Sequence, residues 1–407
     1  MAGEGHGATH GVITRALDTE SQFAALVDSL AADPDGPAQL IGLLREDHPL
    51  YDERGAAATV RMRGWVLLAL ARTGVSDAAL PFVLEELDTG VDAYLVAAAA
   101  RALRSYPGRN VAFAPRVMRA ISNVRYHDDL VSFENYGEYA LTSTGTSPVR
   151  ELLATLAWLG PSARGVLHEV EALRAQRGMS KKLLSDVDRA VEAIRDADPG
   201  DELSTHECCT PPHTLMGTTS SPPDSRAGSE SIEATLFEDH EGASITFGEF
   251  FRGHPSVVVF FYTRCNNPLK CSVTITKLGR LQKLLEGRGL ADQIHTAAIT
   301  YDPGFDVPER MRAYGLNRGL RLDEHHRMLR TTCATGLIRS HFKLGVNFVG
   351  SLVNRHRVEA YILDAEARIA ASFERTNLDE QQLVEGAIAV LNEDVPVQHP
   401  GDDKHCI

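Results

Sequence analysis

The chain has 407 residues, 43% of them hydrophobic and 24% charged, which is enough for two or three domains with ordinary cores. Against 55 acidic residues the 41 basic ones leave a formal net charge of -14, and 20 basic and 27 acidic residues before position 200 against 21 and 28 after it place -7 on each half. That balance argues against nucleic acid as a main partner and hides no basic arm or acidic tail. The opening residues lack the apolar centre of a signal peptide, and no run reaches the length of a membrane span, so a cytoplasmic location without membrane contact is expected.

Residues 1–18 are read as a flexible N-terminus. From 19 to 198 the sequence is rich in Ala, Leu, Val and Arg, shows almost no strand-like alternation and is broken at short intervals by Gly, Pro and Asp, which predicts helices throughout. One pattern recurs there: LLALARTGVSDAALPFVLEEL from Leu67, ARALRSYPGRNVAFAPRVMRAI from Ala100 and LLATLAWLGPSARGVLHEVEAL from Leu152. Each reads as helix, Gly-containing turn, helix, with turn glycines at Gly74, Gly108 and Gly160. Paired helices at this period predict an all-α solenoid and resemble HEAT-like repeats, whose long surface suits a protein partner. The insertion 123–146 carries Tyr126, Phe133, Tyr136 and Tyr139 among acids. It reads either as a partner-binding loop or as a cap packed on the helices.

Residues 199–230 contain two Pro-Pro pairs and many Ser and Thr without apolar period, the composition of a linker. Within it His206, Cys208, Cys209 and His213 lie close together, a set suited to a soft metal or a resolving thiol, although adjacent cysteines chelate one ion poorly. All six cysteines lie after position 200, so thiol chemistry belongs to the second half of the chain.

Over 231–394 the pattern changes type. Strand-like runs SVVVFFY (256–262), IHTAAIT (294–300), VEAYILD (358–364) and RIAASF (368–373) alternate with helical ones, which predicts an α/β layer structure. Residues 232–251 read as a leading hairpin turning near Glu241-Gly242, Asp306 as the cap of a helix opening at Pro308, and Asn377 with Glu380 as the capping box of a last helix buried through Val384, Ala387, Ile388 and Leu391. His325 and His326 are placed on a solvated helix, and Cys333 is read as buried and inert. Residues 395–407 form a tail in which Cys406 does not occupy a prenylation position.

The chemistry centres on the end of the strand at 256–262. Cys265 follows it directly, and Cys271 opens the helix that comes next, with Asn-Asn-Pro-Leu-Lys between them. A thiol at a helix N-terminus meets the positive end of the dipole and unpaired N–H groups, which favours thiolate, both nucleophile and soft metal ligand. FFYTRC with the second cysteine, ITYDPGFDVPERMRAYGL (299–316), HFKLGVNF (341–348) and NRHRVEAYILDAEARIAASF (354–373) resemble, in this order, the Sco/SenC family. The resemblance spans about residues 231–392. It implies a thioredoxin-like fold that binds copper through two cysteines and a distant histidine, with thiol-disulfide oxidoreductase activity in several members.

On that pattern His356, five residues before Tyr361-Ile-Leu-Asp364, is the histidine ligand. Cys265 and Cys271 are then both the redox pair and, with His356, the metal ligands. Asp302, in the Tyr-Asp-Pro turn, reads equally as electrostatic support for the site and as a turn residue. This loop holds five residues between its cysteines where the family usually has three. Two other readings stay open: an interaction scaffold whose second domain is chemically inactive, and a thiol peroxidase in which His356 is dispensable.

Overall fold

The structure is a computed structural model and describes residues 19–134, 145–175, 180–196, 232–375 and 378–393. The predicted N-terminus, linker and tail, with Cys208, Cys209, His405 and Cys406, lie outside the described residues, as do Tyr136, Tyr139 and Asn377.

The first part is helical: α1 (Glu20–Ala32), α2 (Gly36–Gly42), α3 (Ala56–Thr73), α4 (Leu80–Thr89), α5 (Ala93–Leu103), α6 (Phe113–Val124), α7 (Pro148–Leu159), α8 (Leu167–Ala172) and α9 (Lys181–Arg195). Side chains at the boundaries explain why several of these helices begin where they do. Thr19 and Gln22 form a reciprocal capping box on α1, Asp92 accepts the amides of Tyr94 and Leu95 at the start of α5, and Ser147 and Ser180 cap α7 and α9. The three recurring sequence units appear as α3–α4, α5–α6 and α7–α8. Helices α1, α3, α5, α7 and α9 pack on one another in succession, and α4 and α6 form a second rank beside them. Close approach within the first rank depends on Gly64, where a Cβ would lie 2.2 Å from the Tyr94 ring. In the insertion, Val131 pairs with Thr146 as an isolated bridge, and Phe133 packs on Tyr94 beneath the Arg101 guanidinium, while Tyr126 is exposed.

The second part is a seven-stranded mixed sheet with helices on it. In chain order it contains β1 (Leu236–Asp239), β2 (Ser244–Thr246), α10 (Phe247–Phe251), β3 (Ser256–Phe261), α11 (Val273–Gly287), β4 (His295–Thr300), α12 (Pro308–Leu316), β5 (His326–Thr331), α13 (Thr335–Phe342), β6 (Val346–Val349), β7 (Leu352–His356), β8 (Glu359–Leu363), β9 (Ile369–Glu374) and α14 (Glu380–Glu393). The strand order is β2-β1-β5-β4-β3-β8-β9, with β3, β4 and β5 parallel and β8 antiparallel to β3. Strands β6 and β7 form a separate hairpin. Every residue of β3, β4 and β8 is buried, which is why these strands read as apolar runs.

Four local expectations are corrected. The leading hairpin is short: Gly242 turns it at φ +84°, but Phe247–Phe251 leave β2 as helix α10, opened by the Thr246–Glu249 capping box. His326 is not on a solvated helix; it starts β5, fully buried, with Nδ1 3.0 Å from the Thr296 hydroxyl. Cys333 is exposed, because it falls in the bend after β5 and outside the core. Asp306 does not cap α12, whose N-cap is Val307; its carboxylate turns instead to Thr263 and Thr300. At the start of α14, Asp379 accepts the Gln382 amide at 3.0 Å.

Candidate metal and thiol site

At the C-terminal end of β3 the chain leaves the sheet through Tyr262, Thr263 and Arg264 into the loop that carries Cys265. Asp306 fixes this exit by accepting the Thr263 amide at 3.1 Å and the hydroxyls of Thr263 and Thr300. Asp302 binds Arg264 at 2.6 Å, one residue before Cys265, so it holds the loop from the end of β4. Asn267 then accepts the Leu269 amide, and Pro268–Ser272 form a wide π-helical turn that runs into α11. Cys271 sits within that turn, fully buried, whereas Cys265 is half-buried. The five-residue spacing between the cysteines thus ends in a π-turn, a feature frequent at functional sites.

His356 reaches the same point from the end of β7. Its Nε2 lies 3.6 Å from the Cys265 sulfur and 3.4 Å from the Cys271 sulfur. Its Nδ1 lies 2.9 Å from the Arg357 carbonyl oxygen, a contact that requires the proton on Nδ1 and turns Nε2 toward the two sulfurs. The rings of Tyr262 and Tyr301 bracket the imidazole at 5.5 Å and 5.2 Å between centroids. Tyr301 is anchored in turn by donating to buried Glu359 at 2.6 Å. The two sulfurs and the imidazole nitrogen all lie within 4.8 Å of one another, and among the described residues this is the one such group of three potential ligands.

The two thiols differ electrostatically. Hydrogen bonding from Cys271, with the nearby His356 ring, holds the Cys265 thiol far below its ordinary range, to about 3. Burial, followed by the charge on Cys265, pushes the Cys271 thiol up. The pair therefore shares one proton, carried by the inner sulfur. Such a site offers a half-buried thiolate, a buried thiol and an imidazole nitrogen aimed at both, a soft donor set that suits copper.

Residues that no local motif announced complete the surroundings. Lys270 is buried and donates to Glu85 of α4 at 2.9 Å and to the His356 carbonyl at 2.8 Å. Asn267 donates to the Thr89 carbonyl, also in α4, at 2.9 Å. The only sequence signal for Glu85 is its place on the apolar side of a helix, where an unpartnered carboxylate would be costly.

Residues 235–391 match the SCO1/SenC family model. No curated protein matches the chain. Among solved structures, a SCO1/SenC family lipoprotein from Bacillus anthracis is similar at 16% identity over 39% of this chain and 94% of that one, with a TM-score of 0.35. Bradyrhizobium japonicum ScoI with copper bound is similar at 17% identity over 38% and 96% (TM-score 0.32), and yeast Sco1 with copper bound at 21% identity over 40% and 89% (TM-score 0.33). Over residues 235–391, then, this chain is similar to the SCO1/SenC family.

Proposed function

We propose that Cys265, Cys271 and His356 hold one copper ion and that the two cysteines also cycle between dithiol and disulfide. The observation that carries this reading is the convergence of two sulfurs and one imidazole nitrogen within 4.8 Å, with the ring held through Nδ1 by a backbone carbonyl. Copper-bound relatives in that family add support. When bound, the ion is cargo or a one-electron centre ligated by thiolate. Without it, the Cys265 thiolate attacks a partner's disulfide and forms a mixed disulfide. Cys271, after giving up its proton, displaces the partner's second thiolate, so the partner gains two electrons and this chain gains the Cys265–Cys271 disulfide.

The helical part is read as HEAT-like repeats that bind a protein partner, with the domains divided at 19–198 and 231–394. Among the described residues no helix is long and apolar enough to cross a membrane. A cytoplasmic location remains part of this proposal.

Copper titration of the reduced protein, with metal content measured after gel filtration, should give one ion per chain. His356→Ala should weaken copper binding at least tenfold while leaving the Cys265–Cys271 disulfide accessible to peptide mapping. Wild-type copper affinity in His356→Ala removes the histidine from the ligand set.

A further inference from the structure

The helical part grips both halves of the site. On the histidine side, the β6–β7 hairpin is hydrogen-bonded to the segment before α3 and to its start. Asn347 donates to the Glu46 carbonyl at 2.7 Å, the Gly350 amide to Glu53 at 3.0 Å, and Asn354 to the Arg54 carbonyl at 3.0 Å. Arg355, next to His356, pairs with Glu86 of α4. On the cysteine side, Asn267 reaches the Thr89 carbonyl and Lys270 reaches Glu85, both in α4. One helix of the first part therefore touches the neighbours of His356 and the turn that contains Cys271.

Lys270 closes the circuit, because the same ammonium group bonds Glu85 and the His356 backbone carbonyl. Its side chain is 7% exposed and that of Glu85 3% exposed, so neither group can exchange its partner for water without moving. A hydrogen bond between buried charged groups is both strong and directional. Nothing in the thiol chemistry requires a lysine at this position, and its orientation toward a helix 185 residues away needs an explanation.

We propose that the helical part serves as a positioning clamp for the site, acting through the Glu85–Lys270–His356 carbonyl bridge to hold the cysteine turn and the histidine hairpin at ligand distance. Lys270 and Glu85 are positioning residues: they touch neither copper nor a reacting sulfur and act through the backbone that carries the ligands. The inference rests on the copper and thiol reading of the site. It assigns the first part of the chain a role within the site, independent of any partner it binds.

The test uses the full chain with Lys270→Met, Glu85→Gln and Lys270→Arg. Cu(I) affinity is measured by competition with a chromogenic chelator, and the thiol equilibrium by exchange with reduced and oxidised glutathione. Lys270→Met and Glu85→Gln should each weaken copper about tenfold or more, in the range seen when groups supporting metal ligands are removed. Both should also shift the glutathione equilibrium of the Cys265–Cys271 pair away from the wild-type value, since the turn that carries Cys271 is no longer tied to the histidine hairpin. Lys270→Arg, which keeps a charged donor, should restore most of both properties, and a merely structural defect would not be rescued selectively.

In the double variant Lys270→Met/Glu85→Gln the two losses should not add, because they break one bridge. Should Glu85→Gln fail to fold, Lys270→Met against Lys270→Arg decides alone. Folded variants with wild-type copper affinity and a wild-type glutathione equilibrium overturn the clamp and leave the site reading standing. A wild-type protein that neither binds copper nor forms the Cys265–Cys271 disulfide overturns the site reading, and the clamp with it.

Discussion

Cys265 and Cys271 differ in two ways that act in the same direction. Cys265 is half-buried and stabilised as thiolate by the Cys271 thiol and the His356 ring, while Cys271 is fully buried and kept protonated. Exchange and alkylation follow the product of access and thiolate fraction, so Cys265 is the attacking sulfur. An ordinary cysteine, with a pKa near 8.5, loses about tenfold in thiolate for each pH unit below that value. Cys265, with its pKa lowered to about 3, stays ionised throughout the range from pH 8 to pH 5. Its iodoacetamide labelling in the reduced, copper-free protein should therefore change less than about threefold across that range. Cys271 should be labelled only after unfolding. Peptide-resolved mass spectrometry reads both rates, and a tenfold fall per pH unit for Cys265, or earlier labelling of Cys271, contradicts the arrangement.

At the scale of elements, the site depends on how the loops leaving β3 and β4 are joined. Asp306 is fully buried and accepts three donors from the ends of the two strands, at Thr263 and Thr300. Asp306→Ala leaves those donors unpaired in the interior, and a loss of about 2–3 kcal/mol is expected by urea denaturation. A loss below about 0.5 kcal/mol would show that water replaces the carboxylate freely. The sequence pattern Asp-Val-Pro reads as a helix cap because local spacing says nothing about a carboxylate turning back to another strand. β3, in contrast, was legible, since burial on both faces demands a continuous apolar run, and the cysteines that follow it mark the site. β5 was missed because its buried face opens with His326 and continues with Met328, Leu329 and Thr331, a mixture with no clear period. His356 could be assigned only through family resemblance, as nothing near it in sequence signals a ligand. Lys270 and Glu85 had no sequence signal as a pair, because they meet only through the packing of the two parts.

Across the whole molecule, the seam between the helices and the sheet is a buried ion cluster. Arg375 donates to Glu46 at 2.8 Å and to Glu85 at 2.7 Å, lies 3.9 Å over the Phe82 ring, and holds a left-handed backbone at φ +57°. Arg63 pairs with Glu46 at 3.0 Å and with Glu86, which also takes Arg355. Burial alone would raise the carboxyl groups, but the surrounding cations win: Glu85 is held down to about 2 and Glu46 well below its ordinary value. A carboxyl group with a depressed folded pKa contributes stability that is complete above its unfolded pKa and is lost as pH falls through the folded one. For Glu85 that window runs from about 4.5 down to about 2, and the expected loss from this group is about 2 kcal/mol by pH 3. Arg375→Met removes a shared partner of both carboxylates. It should cost about 3–5 kcal/mol at pH 7, because it leaves buried negative charge uncompensated. It should also make the acid decline shallower, so that the deficit of the variant shrinks as pH falls, since the folded pKa of the carboxyl groups rises toward the unfolded one. Urea unfolding of both proteins at pH 7, 5 and 3 tests this directly. Parallel pH curves for wild type and Arg375→Met, displaced only in height, would show that the cluster does not set the acid response of the seam.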